Sequence, residues 1–157
     1  MSASSTIVEI MQAVADQLED GLTPPTGVEL HIEPLAFAIA ETPAIDMLIP
    51  APTGLEEGLA GFGSETRYGA FPLMIRVRVG TADVYSGEQL LLGLIDDMGP
   101  LSIVAALDAD RTLGGVVDDL TWGNGFPWSG YQDFPMSDGN GILLGSTMPI
   151  VIVKTQS

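Results

Sequence analysis

The sequence predicts an α+β domain: a mainly antiparallel, mixed sheet with two or three helices packed against it and one long flexible arm or loop. Three observations lead there. Helical spacing of apolar residues occurs near the N-terminus and again after residue 83; strict two-residue alternation occurs between them and at the C-terminal end; and helices and strands do not alternate strictly. The chain of 157 residues suits one domain, 1–157, with 46% hydrophobic and 17% charged residues, the balance of a folded protein.

Thr6 and Glu9 form a T-x-x-E capping box, after which Ile7, Ile10, Met11, Val14 and Leu18 share one helical face until Gly21. The opposite face carries Asp16, Glu19 and Asp20, acids that oppose the helix dipole unless a basic neighbour relieves them. "TPPTG" turns the chain. "VELHIEP" then alternates Val28, Leu30 and Ile32 with Glu29, His31 and Glu33, as a half-buried strand does. "PAIDMLIPAP" is a second extended run, and Pro43 and Pro50 suit it to a sheet edge.

Residues 53–69, "TGLEEGLAGFGSETRYG", hold five glycines and no sustained period, which reads as a long hairpin arm or mobile loop. "FPLMIRVRVG" is the clearest strand, with Leu73, Ile75, Val77 and Val79 on one face and Met74, Arg76 and Arg78 on the other. Two arginines so placed in an acidic chain are expected to pair with carboxylates of a neighbouring strand or subunit.

After Asp83 as N-cap, Leu91, Leu94, Ile95 and Met98 fall at helical spacing, and Gly99-Pro100 closes the helix. "PLSIVAALDADR" predicts a shorter helix that starts at Pro100 and buries Ile103, Val104 and Leu107. "VVDDLTW" and "GILLGSTMPIVIVK" are two closing strands, joined by an aromatic and glycine-rich loop, 123–140. Trp122, Phe126, Trp128, Tyr131 and Phe134 crowd in or beside that loop, where they either cap the core or anchor an interface.

Composition bounds the function. With 21 acidic and 5 basic residues the formal charge is −16, which opposes binding to any phosphate surface but suits DNA that slides past without adhesion. Cysteine is absent, so disulfides, zinc thiolates and thiol nucleophiles are excluded. No apolar run reaches the roughly 20 residues of a membrane span, and the N-terminus lacks signal-peptide features, so synthesis and retention in the cytoplasm are expected.

No stretch carries a catalytic or cofactor signature. Gly114 and Gly115 fit neither G-x-G-x-x-G nor a P-loop and read as a turn with positive φ before a strand. Asp108, Asp110 and Thr112 start like a calcium loop, but Leu113 stands where that loop demands glycine. Asp118 and Asp119, adjacent in a strand, point to opposite faces and cannot chelate one ion together. Asp133, Asp138 and Asn140 could hold calcium weakly and equally suit ordinary turns. His31 has no second histidine or serine motif near it and is expected at the surface. The chain is therefore expected not to be an enzyme; the competing enzymatic reading is a small carboxylate-dependent hydrolase.

Taken in order, "IVEIMQAVADQLED", "PAIDMLIPAP", "RVRVGTAD", "GEQLLLGLIDDMG" and above all "ALDADRTLGGVVDDLTW" followed by "SGY" resemble the tail terminator proteins of long-tailed bacteriophages. The likeness spans most of the chain. It implies a virion protein, made in the host cytoplasm, that forms a ring of usually six subunits on the last ring of the tail tube. Such a ring ends tube growth and presents the surface to which the head attaches. The implied partners are further copies of the chain, the major tail tube protein and the head-proximal connector, with DNA passing through the lumen unbound. A head-to-tail stopper of the neck is the alternative assignment. The residues expected to meet partners are Arg76 and Arg78; Glu56, Glu57, Phe62, Arg67 and Tyr68 of the arm; and Trp128 and Tyr131 of the aromatic loop.

Overall fold

A computed structural model describes residues 5–35, 41–50, 69–80, 84–135 and 142–154. Among these residues three helices, α1 (Ile7–Gly21), α2 (Val84–Ile95) and α3 (Ile103–Asp108), accompany six strands. The strands are β1 (His31–Ile32), β2 (Ala44–Leu48), β3 (Ala70–Val79), β4 (Asp119–Trp122), β5 (Gln132–Pro135) and β6 (Ile142–Val153). They form one sheet ordered β1-β2-β3-β6-β4, with β5 also paired to β6; among the described residues only the β1–β2 pair is parallel. The fold class is therefore the expected α+β, mostly antiparallel. The arm proposed for 53–69 falls, up to residue 68, outside the described residues.

The capping box forms as its sequence dictates. Glu9 N–H donates to Thr6 Oγ1 at 3.1 Å, and Thr6 N–H donates to Glu9 Oε1 at 3.0 Å. The Thr6 backbone N–H first, and then the Thr6 side chain, hold the Glu9 carboxyl below its ordinary pKa. Ile10, Met11, Val14, Ala15 and Leu18 form the buried stripe of α1. The last turn of α1 holds no basic residue of its own; Gln17 Nε2 donates to the carbonyls of Ala106 and Asp110, both at 2.9 Å, and ties α1 to α3.

Alternation in β3 is complete: Phe71, Leu73, Ile75, Val77 and Val79 are buried, and the residues between them are half-buried. Register carries the same face across the sheet. Ile45 and Met47 lie beside Val77 and Ile75 on one flank, and Met148, Ile150 and Ile152 lie beside Ile75, Leu73 and Phe71 on the other. These side chains meet α1, α2 and α3 in one core, each large one contributing about 1.5–3 kcal/mol by leaving water.

Several boundaries differ from the sequence expectation. Strand pairing in the "VELHIEP" run is confined to His31–Ile32, where His31 N–H bonds the Pro43 carbonyl and Glu33 N–H the Ile45 carbonyl. Pro34 on one strand and Pro43 on the other have no N–H to extend the ladder. β2 is not an edge strand: its prolines fall outside Ala44–Leu48, so the strand pairs on both sides. The region 123–140 is not all loop, because β5 within it pairs with Ile142–Gly145. β4 pairs with Ile150–Val153, so β4 and β5 share one edge of β6, and Pro149 occupies the interval that neither strand pairs.

Helix ends shift as well. Met98 is 70% exposed, beyond the end of α2, because the Asp96 carboxylate accepts the N–H groups of Asp97 and Met98 and the chain turns at Gly99 (φ 102°). α3 is capped by Ser102, whose Oγ accepts Ala105 N–H at 3.0 Å, and does not begin at Pro100. Ile103 and Leu107 are buried as expected, whereas Val104 is only partly covered.

Candidate interaction surface

One face of the sheet carries the helices; the other presents the residues that alternate with the core. At its centre, Asp46 lies directly beside Arg76 across the β2–β3 ladder, with Arg78 two residues along. Arg76 Nε and Nη2 donate to the two oxygens of Asp46, each at 2.8 Å, and Arg78 Nη2 donates to Oδ2 at 2.8 Å. Asp46 is 1% exposed and the two arginine side chains 21% and 16%. Of the two alternatives open from the sequence, the arginines therefore take the neighbouring strand.

Next to this cluster, the Arg76 guanidinium stands over the Phe134 ring, 5.8 Å from its centroid. The ring covers Gly145, which pairs with Arg78 in β3 and Gln132 in β5. A polar row continues: Thr147 Oγ1 and Ser129 Oγ both donate to Gln132 Oε1, at 2.9 and 2.8 Å. This is the well-ordered bonding of a sheet surface, with one carboxylate serving two cations.

The remaining candidates separate. Trp128 is 5% exposed and belongs to the core, not to the surface expected of an interface anchor. Its indole N–H is buried and finds no hydrogen-bond partner among the described residues. Tyr131 is 48% exposed, and its hydroxyl donates to Glu88 Oε2 at 2.7 Å, a bond to a carboxylate that raises the phenol's pKa. Phe126 is 64% exposed and Trp122 partly buried, so the aromatic group divides between core and surface. Glu56, Glu57, Phe62, Arg67 and Tyr68 lie outside the described residues. His31 is half-buried, with Nε2 3.8 Å from Glu41 Oε2.

The segment from Asp108 to Val117 is a turn, as its glycines suggested. Leu113, Gly114 and Gly115 all have positive φ, 53°, 70° and 90°. For Leu113 that backbone is unfavourable, and its side chain is buried in the core. Asp110 organises the loop: its carboxylate accepts from Thr112 Oγ1 at 2.6 Å, from Gly114 N–H at 2.9 Å and from Thr112 N–H at 3.0 Å. Those bonds, the hydroxyl's first, hold its pKa below the ordinary aspartate value. Asp108 pairs instead with Arg111 Nε at 2.8 Å, so the two acids do not share a ligand site. Asp118 precedes β4, its N–H on the Val153 carbonyl, and Asp119 begins the strand.

A titration checks the Asp110 account. Carbon-detected NMR should find Asp110 ionised at a pH where ordinary aspartates are already half protonated, and Thr112→Val should move it back towards them. Because the folded pKa is lowered, the turn's stabilisation is present above the unfolded aspartate pKa and is lost as pH falls through the folded one.

Among the described residues no three His, Asp or Glu side chains gather to hold a metal; Asp138 and Asn140 lie outside them. No helix among them is long and apolar enough to cross a membrane. No protein-family model matches this chain, and no curated protein matches it in sequence.

Proposed function

We propose that this chain is a subunit of the ring that closes the head-proximal end of a bacteriophage tail tube, ends tube growth and offers the head its attachment surface. The role is structural and needs no catalysis or cofactor. Its partners are further copies of the chain, in a ring of six, together with the major tail tube protein and the head-proximal connector.

The observation that supports it most is the disposition of charge. The chain carries 21 acidic groups against 5 basic ones, and the four basic side chains among the described residues are each bonded within the subunit. Arg76 and Arg78 hold Asp46, Arg111 holds Asp108, and Lys154 Nζ donates to the Ser5 carbonyl at 2.9 Å. A ring of such subunits repels phosphate, the property a channel needs if DNA is to pass without adhering. The resemblance of the ordered stretches to tail terminators supplies the rest, and the turn at Gly114 and Gly115 supports a structural reading of its central stretch.

Location in the particle separates the terminator from the neck stopper. A gold-labelled antibody should mark the head-proximal tip of tails that have not yet joined heads. Label on tailless heads, with free tails unmarked, would favour the stopper.

A further inference from the structure

On the helical side of the molecule, the end of α2, the side of α3 and the loop after β4 enclose a groove of about 590 Å³. Its apolar walls are Leu92 and Ile95 from α2, Val104 from α3, and Trp122 and Phe126 from the β4 exit, with Asp97 at its rim. Leu92 is 47% and Phe126 64% exposed, so two large apolar side chains of this groove face solvent. Singly exposed apolar residues need no partner, but a contiguous patch with an acidic rim has the anatomy of an interface core and its border.

The geometry points to a docking site for a segment of a different protein that inserts an apolar side chain between Leu92, Trp122 and Phe126 and sets a lysine or arginine against Asp97. Charge selects that occupant over a second copy. Every basic side chain among this chain's described residues is already engaged within its own subunit, Arg111 lying over the Trp122 ring at 4.3 Å with its Nε on Asp108. A copy would bring mainly further acid to an acidic rim, a like-charge approach that costs energy, whereas a basic apolar segment gains on both counts. This inference stands apart from the tail reading and can fail or hold without it.

The test uses the whole ¹⁵N-labelled protein and two synthetic peptides of one apolar pattern, KLWKLK and ELWELE. The basic peptide should shift the Trp122 indole and the amides of Leu92, Ile95 and Phe126 saturably, leaving the buried Trp128 indole unmoved. Phe126→Ser should weaken that binding about tenfold, the worth of one apolar anchor, and Asp97→Asn about threefold at low salt. Both positions are on the surface, so the variants should keep the parent's spectrum elsewhere. Equal binding of the acidic peptide, shifts scattered over the acidic surface, or binding indifferent to Phe126→Ser would overturn the proposal. A self-associated form in sedimentation that Phe126→Ser dissolves would also overturn it, by giving the groove to a second copy.

Discussion

Asp46→Ala should cost the folded subunit about 3–5 kcal/mol, because it leaves two guanidiniums in the sheet without their shared counter-charge. Three charge-assisted hydrogen bonds converge on a carboxylate that is 1% exposed. Removing one long surface partner of an exposed pair would cost far less, under about 1 kcal/mol; it is the burial of Asp46 that raises the figure. Asn at the same position should rescue little, since its amide N–H₂ would face the guanidinium donors where a carboxylate oxygen had accepted. Urea denaturation should register the loss as a lower midpoint with an unchanged slope. A change below about 1 kcal/mol would mean that the arginines find other acceptors or water when Asp46 is gone.

The second large effect is expected at Gly145. Glycine in a strand interior is normally a weakness, yet here it is required. A Cβ would run into the Val77 carbonyl on β3 and come within 2.6 Å of the Phe134 ring. The backbone of a central strand cannot step aside cheaply, so Gly145→Ala should destabilise by about 1–3 kcal/mol, the usual penalty of overpacking, or more. Phe134→Ala in the same chain should recover part of that loss, because the ring is one of the two obstacles. A double-mutant cycle would show the coupling; strictly additive effects would mean that the carbonyl alone sets the penalty.

Those two sites also mark how far the sequence could be read. The Arg76 and Arg78 pattern announced a face and a need for carboxylates, and alternation fixed which side of β3 was core. It could not choose Asp46, because the pairing depends on register between β2 and β3, which are separated by 21 residues of chain, 49–69. The capping box and the left-handed turn at Gly114 and Gly115 were readable because their determinants lie within four residues of each other. β5 was missed for the opposite reason. "QDFP" has neither alternation nor length, and only the unpaired edge of β6 makes a strand of it. Met98 had helical spacing but stood beyond a stop set by the Asp96 carboxylate, and Trp128 looked like its exposed neighbour Tyr131 until the core claimed it.

The candidate surface was less legible than the fold. The apolar groove draws on α2, α3 and the β4 exit, so its residues are scattered in sequence and no local motif unites them. Phe126 was singled out only as one aromatic among five. Its partner Val104 was expected to be buried and Leu92 stood off the Leu91, Leu94 and Ile95 stripe, and partial exposure is set by where a helix ends, not by its period.

The proposal of a terminating ring is tested most directly by tube length. A ring interface of the head-to-tail kind repeats without limit unless the last layer offers a face that the next ring cannot use. Tail tube protein from the same source, started on its own initiator, should therefore give overlong, irregular tubes when this protein is omitted. Adding it during growth should leave tubes of normal length, each with one extra ring at its growing end in negative-stain electron microscopy. Tubes of normal length in its absence would contradict the account.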